Sequence, residues 1–479
     1  MSIVKIKKNE TINSSENLII LAENPQQIDK KLFSTSEFNH IKKSFSENIS
    51  QQTINRLGQC LWIFFIIPSD KELHLIHEDI RRAGNEIYNN WKNYKETTIQ
   101  IADFQNTATY TFAFLEGFAL GAYTFDKYKK EKNNNIDILI QSNCLKSKNI
   151  TELNEIIKAV FTCRNLVNEP HSYLSTSRFA SEIKLLASKN NLNLTFLNKL
   201  KLASLKMGGI LAVNKGSSEP PFMAVAEWKP NKPVNKKPFI LVGKGITFDT
   251  GGYSIKTSVG MEEMKFDMSG AAVAITTLAL IANNKLPLHI IALLPVTDNC
   301  INEHAQKPGD IITVHDGTTV EILSTDAEGR LLLADALSYA KKYDPELVID
   351  LATLTGSAHL ALGKYTIFAT QKKCTNYLLL LKKTGENVYE RLVEFPLWDE
   401  YAESLTSNVA DIKNVGARHA GAIVAAKFLE RFTDYPWIHL DIAGPAFFTK
   451  SWNYFPAGAT GIGVRLLYNF FKSLVTMNN

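Results

Sequence analysis

The chain of 479 residues is poor in cysteine, and its cysteines show no metal-binding or redox spacing. Five of them, Cys60, Cys144, Cys163, Cys300 and Cys374, are scattered without a CxxC motif. An odd, widely spaced set argues against a disulfide framework or a zinc knuckle and favours reduced thiols. The opening residues, MSIVKIKKNE, lack the apolar core of a signal peptide. We therefore expect a cytoplasmic protein.

An excess of charge and a long apolar run are also missing. The chain has 53 Lys+Arg against 48 Asp+Glu, a net charge of +5. This balance does not predict a basic surface, so we expect no nucleic-acid partner. The longest early apolar run, Leu61–Ile67 (LWIFFII), is too short to cross a bilayer and predicts a buried strand. We therefore expect no membrane partner.

Several common catalytic motifs are absent as well. The sequence has no HExxH, no GxSxG and no pairing of Cys with His that would provide a nucleophile and its base. The glycine-rich segment that starts at Gly243 contains neither GxGxxG nor GxxxxGK[ST]. This argues against a nucleotide-dependent oxidoreductase and against a P-loop enzyme.

The length predicts more than one domain. Residues 1–150 mix short apolar runs with helical stretches and predict a smaller α/β domain. Residues 151–169 predict a linker helix, which ends where Pro170 restricts the residue before it. Residues 170–479 predict the catalytic domain.

Four apolar runs of strand length mark this second domain, at 239–245, 289–299, 346–356 and 437–444. Helical stretches, for example 270–284 and 331–342, separate several of them. Such alternation predicts an α/β fold with a mostly parallel or mixed sheet covered by helices. Ligands of these sheets bind beyond the carboxyl ends of the strands.

Four carboxylates follow the predicted strands of this domain: Asp249, Asp267, Asp326 and Glu328. One interpretation is that they are solvated loop charges. However, Asp249 lies in a glycine-rich, largely apolar run close to a buried strand. Four like charges in one pocket need strong compensation, which two divalent cations would supply. Oxygen ligands alone favour Mg²⁺ or Mn²⁺ over Zn²⁺. The residues thus predict a two-metal hydrolase.

The octapeptide Ser324–Leu331, STDAEGRL, has two interpretations. Thr325 and Glu328 fit a capping box before the apolar run that follows. Alternatively, the alternation of Asp326, Glu328 and Arg330 places three ionic side chains on one side of an extended segment. The octapeptide alone does not decide between a helix start and part of an active site.

Several motifs, taken in their order along the chain, resemble those of the leucine aminopeptidase (cytosol aminopeptidase) family of dinuclear metallopeptidases. They are GKGITFDTGG, Lys256, MKFDM and TDAEGRL. RNLVNEP (164–170), which precedes them in the chain, and DLATLTG (350–356) and IAG (442–444), which follow them, continue the resemblance. EGFALGAYTFDKYK (residues 116–129) is also similar to that family. The resemblance is strong over residues 160–465 and weak before residue 110. It implies an enzyme that removes N-terminal residues from peptides with a free N-terminus.

The resemblance implies that two divalent metal ions, Zn or Mn, are bound by five residues. One ion would be held by Asp249, Asp326 and Glu328. The other would be held by Lys244, Asp249, Asp267 and Glu328. The resemblance also implies that Lys256 polarises the scissile carbonyl and that Arg330 holds a bicarbonate ion acting as general base.

Further residues match the family's substrate and bicarbonate positions. Substrate-binding positions are Lys256, Met264, Asp267, Thr353, Gly356 and Ala443; bicarbonate-binding positions are Gly329, Arg330 and Leu354. The resemblance further implies a homohexamer. Ser324, Tyr253 and Ser269 depart from the family pattern, and we expect Ser324 to tune activity. The alternative function is that of a catalytically weak relative that regulates or binds nucleic acid.

Overall fold

The computed structural model describes residues 3–67, 69–417 and 419–477. The chain forms two compact units. The first comprises Met1–Lys158 together with Lys450–Ala457, and the second comprises Ala159–Thr449 and Gly458–Asn479. Residues 151–168 of the predicted linker helix (151–169) lie in a longer helix, Ser147–Asn168, and residue 169 lies just beyond its end. The domain boundaries at 150 and 170 remain predictions.

The first unit is built on a six-stranded sheet in the order β1-β6-β5-β2-β4-β3. All neighbours are parallel except the β3–β4 hairpin. Its elements are β1 Val4–Lys8, β2 Leu18–Ala22, α1 Thr35–Ser46, β3 Gln51–Arg56, β4 Gln59–Phe65, α2 Leu73–Trp91, β5 Thr98–Asp103, α3 Ala108–Gly121, β6 Ile136–Ser142 and the start of α4 Ser147–Asn168. The predicted strand at Leu61–Ile67 is confirmed, because Leu61 to Phe65 lie in β4 and are buried.

A late segment of the chain completes this first unit. Lys450–Ala457 belongs to it although the residues on both sides belong to the second unit. The hydroxyl of Tyr454, which is fully buried, donates to Oε2 of Glu78 at 2.8 Å. Glu78 lies on α2 and is itself only 2% exposed. The first unit is therefore discontinuous in sequence.

The second unit contains a nine-stranded mixed sheet in the order β16-β15-β18-β14-β9-β11-β8-β7, with β10 added beside β11. Its elements are α5 Thr176–Lys189, β7 Asn193–Asn198, α6 Lys199–Ser204, α7 Gly208–Asn214, β8 Phe222–Trp228, β9 Phe239–Gly243, β10 Gly245–Asp249, α8 Ser258–Met261, α9 Ser269–Asn283, β11 Ile290–Asn299, β12 Ile311–Thr313, β13 Thr319–Glu321, α10 Gly329–Ala340, β14 Leu347–Ala352, α11 Gly356–Leu362, β15 Ile367–Lys372, α12 Thr375–Val388, β16 Leu392–Glu394, β17 Ile412–Lys413, α13 Gly421–Glu430, β18 Trp437–Asp441, β19 Phe447–Phe448, β20 Gly458–Ala459 and α14 Val464–Met477.

The centre of this sheet is parallel, as its apolar strands predict. Strands β18, β14, β9 and β11 run side by side in the same direction, and all of their residues are buried. Ile240 and Val242 of β9 share a core with the leucines of α10. Side chains alternate along a strand, so Leu241 faces the other side of the sheet. The predicted α/β fold with a mixed, helix-covered sheet is confirmed.

One helical stretch of the described chain, Met264–Asn283, is long and apolar enough to cross a membrane. It is 94% buried inside the protein, however. Residues 269–282 of it are buried on every side, because α9 packs against β9, β11 and β14 and also against α14. Such burial is typical of a core helix.

Candidate active site

A short break between two strands puts a lysine among carboxylates. β9 ends at Gly243 and β10 begins at Gly245, leaving Lys244 between them. Its Nζ lies 2.8 Å from Asp267, 3.0 Å from Glu328 and 3.0 Å from the carbonyl oxygen of Thr353. Lys244, Asp267 and Glu328 are each at most 3% exposed. Three distant parts of the sequence thus meet at one buried amine.

Gly329 is required for this arrangement. A Cβ at position 329 would lie 2.4 Å from Cε and 2.7 Å from Nζ of Lys244. Both distances are shorter than real side-chain contacts, so any other residue would displace the lysine. The predicted importance of Gly329 therefore has a steric reason in addition to any role of its backbone.

A second lysine bridges the other two carboxylates. Nζ of Lys256 lies 2.8 Å from Asp249 and 2.5 Å from Asp326. Asp249 also accepts hydrogen bonds from the backbone N–H of Gly251 at 2.9 Å and from the side chain of Asn299 at 2.7 Å. Gly251 has a φ of +84°, which favours glycine. The tight turn after β10 thus holds the carboxylate at the strand end.

The arrangement of oxygens fits a cation site. Ligand atoms of Asp249, Asp326 and Glu328 lie within 4.8 Å of one another. Oε2 of Glu328 is buried and has no hydrogen-bond partner among the described residues. Each lysine ammonium lies between two carboxylates, where it neutralises them as a bound cation would. The residues present therefore fit divalent ions.

The protonation equilibria show the electrostatic cost of this cluster. Burial and the neighbouring carboxylate Glu328 raise the pKa of Asp249 to about 6. Burial raises the pKa of Asp267 to about 8, even though Lys244 opposes this. Burial also acts on Glu328, but Lys244 and Lys256 outweigh it and lower the pKa of that carboxyl. Two lysines are thus too little positive charge for four carboxylates, of which Asp249, Asp267 and Glu328 are buried.

The segment Ser324–Leu331 contributes to this site and does not form a capping box. α10 begins at Gly329, and its N-cap, Glu328, makes no side-chain cap bond. The hydroxyl of Thr325 instead donates to the carbonyl of Gly251 at 2.6 Å and accepts from the backbone N–H of Ser254 at 2.7 Å. Thr325 therefore ties the loop that carries Glu328 to the turn that follows Asp249.

A cavity of about 490 Å³ opens onto the carboxylates. All the candidate site residues except Gly329 line it: Lys244, Asp249, Lys256, Met264, Asp267, Asp326, Glu328, Arg330, Thr353, Leu354, Gly356 and Ala443. Of the three departures from the family pattern, only Ser324 lines the cavity. The Tyr253 side chain is exposed and bonds to the carbonyl of Asn302, while Ser269 is buried at the start of α9.

Arg330 has an incompletely satisfied guanidinium group at the start of α10. Its Nη1 donates to the carbonyl of Asn414 at 2.6 Å, whereas its buried Nε has no hydrogen-bond partner in the described chain. Burial lowers the pKa of Arg330 to about 10, against the effect of Glu328. The free N–H groups of a helix N-terminus also attract anions. Leu354 is also a predicted bicarbonate-binding residue, but its backbone N–H already donates to Asp441 at 3.0 Å.

The sequence did not reveal the three residues that hold the candidate site residues in position. Asn299 supports Asp249, Asn414 supports Arg330, and Asp441 binds the loop after β14. Each is fully buried. The available signal was position: Asn299 and Asp441 are polar residues at the carboxyl ends of two apolar strands. Asn414 has no such signal, because it follows a strand of only two residues.

Comparison with known proteins identifies the family. Residues 161–468 match the cytosol aminopeptidase family, catalytic domain. A probable cytosol aminopeptidase of Chlorobaculum tepidum is 45% identical over 378 residues, which cover 75% of this chain and 74% of that protein. A probable cytosol aminopeptidase of Clostridium perfringens is 36% identical over 466 residues, covering 92% of each chain.

Solved structures agree with these matches. A mutant of tomato leucine aminopeptidase superposes with a TM-score of 0.85 at 27% identity, covering 98% of this chain and 96% of its own. The bottromycin maturation enzyme BotP, in complex with Mn, superposes with a TM-score of 0.84 at 28% identity, covering 97% and 100%. The chain belongs to the cytosol aminopeptidase family and is a metal-dependent aminopeptidase, a hydrolase of peptides.

Proposed function

We propose that this aminopeptidase uses two divalent ions held in the cavity by five side chains. Asp249, Asp326 and Glu328 would hold one ion. Lys244, Asp249, Asp267 and Glu328 would hold the other, so that Asp249 and Glu328 belong to both ligand sets. The observation that carries the proposal is the convergence of four carboxylates and two lysines in one cavity. Bound ions would supply Lewis acidity and activate a water for attack.

Different residues of the chain would contact the scissile carbonyl, the α-amine and the first side chain of the substrate. Lys256, whose side chain is 19% exposed and lines the cavity, would donate from its ammonium to the scissile carbonyl oxygen and stabilise the charge that develops there. The Asp267 carboxylate would receive the free α-amine of the substrate. Thr353 donates to Asp267 at 2.7 Å and so fixes the direction of that carboxylate. Met264, Gly356 and Ala443 would form the wall against the first side chain.

A free amine is then a requirement for cleavage. A leucyl amide that releases a coloured amine should be hydrolysed by the metal-loaded enzyme, and its N-acetyl form should not. The acetyl group removes the charge that Asp267 recognises while leaving the scissile bond unchanged. Equal turnover of the two substrates would contradict the proposed exopeptidase geometry.

Arg330 is the proposed anion site of the reaction. Its unpartnered Nε and the N-terminus of α10 at Gly329 support the binding of bicarbonate there. An anion at this position could take the proton of the attacking water, for which the cavity offers no other base beside the carboxylates except the exposed His359. Activity in carbon-dioxide-free buffer should rise when bicarbonate is added to wild type, but not to Arg330→Ala. An identical response of both proteins would contradict this assignment.

The native metal, the location and the assembly form the remainder of the proposal. We infer Mn or Zn as the resident ion, cytoplasm as the location and a homohexamer as the assembly. Carboxylate ligands favour Mn²⁺, and BotP was solved with Mn. Metal analysis of protein purified without added metal would identify the ion. Light scattering at micromolar concentration would determine the assembly, and a monomer would contradict the hexamer.

A further inference from the structure

Asp441 lies outside the predicted site, yet it holds two walls of the cavity together. It is the last residue of β18 and pairs in register with Ala352, the last residue of β14. Both strands end at the same edge of the sheet, and the loops that leave them lie side by side. The Asp441 side chain is buried, with an exposure of 1%.

Both oxygens of Asp441 accept hydrogen bonds from these loops. Oδ1 accepts from the backbone N–H of Leu354 and from that of Ala443, both at 3.0 Å. Oδ2 accepts from the Thr355 hydroxyl at 2.7 Å. One carboxylate therefore joins the loop after β14 to the loop after β18. A buried carboxylate with three neutral donors is held in one orientation, and its donors are held with it.

The bonded loops carry groups that act in the cavity. Thr353, next to Leu354, donates to Asp267 and accepts from Lys244 through its carbonyl oxygen. Thr355 also accepts from the N–H of Ala358 at 3.0 Å as the N-cap of α11, the helix that begins with Gly356 at the cavity wall. Ala443 lines the cavity directly. A shift of either loop would move groups on two sides of the substrate.

We propose that Asp441 is a positioning residue for substrate selection: it sets the distance between the Thr353–Gly356 wall and the Ala443 wall of the subsite for the first side chain. This inference rests on the proposed function of the cavity. Loss of the carboxylate would loosen the subsite and reduce discrimination between first residues of different size. Misplacement of binding groups by about 1 Å is enough for large kinetic effects.

The test compares leucyl and alanyl amides as substrates of metal-loaded wild type and Asp441→Asn. Asparagine has nearly the same shape as aspartate. Its NH₂ group is a donor, however, and cannot accept the hydrogen bonds that a carboxylate oxygen accepts in wild type. We expect the ratio of kcat/KM for leucyl over alanyl amide to fall about ten-fold, with a rise in KM for the leucyl substrate. Metal content should remain that of wild type.

Two variants of Thr355 provide a matched control that spares the buried carboxylate. Thr355→Val loses the hydroxyl bond to Asp441 together with the N-cap bond from Ala358 and should lower the same ratio, whereas Thr355→Ser keeps the hydroxyl, and with it both bonds, and should preserve the ratio. The effects of Asp441→Asn and Thr355→Val should be non-additive, because both remove one shared bond. If Asp441→Asn does not fold, the Thr355 pair carries the test.

A merely structural Asp441 would give a different result. It would lower kcat for both substrates by one common factor at unchanged KM, since only the active fraction would fall. That outcome, or a wild-type ratio in both Asp441→Asn and Thr355→Val, would overturn the inference. A wild type that cleaves neither amide would instead contradict the proposed function itself, so the two failures are distinguishable.

Discussion

Both units of the molecule place an aspartate at the carboxyl edge of a parallel sheet, but they satisfy it differently. In the first unit, Asp103 at the end of β5 accepts from the hydroxyls of Thr111 at 2.8 Å and Ser142 at 2.5 Å, and from the Cys144 thiol at 3.4 Å. Within the described residues no lysine or arginine makes an ion pair with Asp103. In the second unit, Asp249 lies against the ammonium of Lys256.

The comparison shows what distinguishes the sheet edge at Asp249, which carries the candidate active site, from the sheet edge at Asp103, which we call the closed edge. Hydroxyl and thiol donors satisfy Asp103 with neutral groups and leave no need for a cation. The second unit instead collects four carboxylates around two lysines, with a buried oxygen of Glu328 left without a hydrogen bond and a cavity beside it. A buried carboxylate alone is therefore a poor marker of catalysis. An excess of buried negative charge beside a cavity is a good one.

The largest expected contrast between the two edges is kinetic. Lys256→Ala should lower kcat by roughly 10²–10³, the loss typical of a removed oxyanion donor. Asp103→Asn, a change at the edge of the first unit, should leave kcat as in wild type. Steady-state kinetics on a leucyl amide measure both. A wild-type kcat in Lys256→Ala would contradict the proposed role of Lys256 in stabilising the charge on the scissile carbonyl oxygen.

A second contrast separates the two lysines by metal content. A lysine can bind a metal only as the neutral amine, whereas arginine keeps its proton in this range. Lys244→Arg should therefore fall from about two bound ions per chain to about one. Lys256→Arg should keep both, because its proposed role requires only a positive charge. Metal analysis after dialysis measures this, and full occupancy in Lys244→Arg would remove Lys244 from the ligand set.

A smaller effect concerns the pH dependence of stability at the closed edge. Burial raises the pKa of Asp103, although its hydrogen bonds oppose this. A raised folded-state pKa means that the contribution of this group to stability is complete below about pH 3.9, the unfolded value. It is lost as the pH rises through the folded pKa.

Asp103→Asn should therefore gain stability relative to wild type as the pH rises from 4 to 8. Thermal unfolding of both proteins at matched pH values measures this. A difference that stayed constant, or that fell with pH, would contradict the raised pKa.

The smallest effect is expected at Ser324. Its hydroxyl accepts from the backbone N–H of Asp326 at 3.3 Å, and the residue lines the cavity. Ser324→Asn places a larger polar side chain at the cavity wall and should change KM by about three-fold or less, with kcat unchanged. Metal content serves as the control. A loss of bound metal in this variant would mean that Ser324 does more than tune the cavity.

The sequence predicted the parallel centre of the second sheet, because each apolar strand is a local run of residues. It also predicted the meeting of the carboxylates, because parallel strands end at one edge of a sheet. The helix over residues 151–168 and the buried strand at Leu61 were predicted from local patterns of the sequence. The residues that fix the site, such as Asn299, Asn414 and Asp441, depend on partners 50, 84 and 87 residues away. No local pattern encodes such pairings. Likewise, nothing near Lys450 indicates that the chain returns to the first unit.

That return has a consequence for the gene. The first unit cannot be exchanged between relatives as one contiguous block, because a fragment ending at Lys158 leaves out Tyr454. Glu78 would then lose the hydrogen bond that it accepts from Tyr454. A chimaera made with one crossover would mix a foreign sheet with a resident Tyr454 segment. Only a double exchange, at 1–158 and at 450–457, transfers the unit whole.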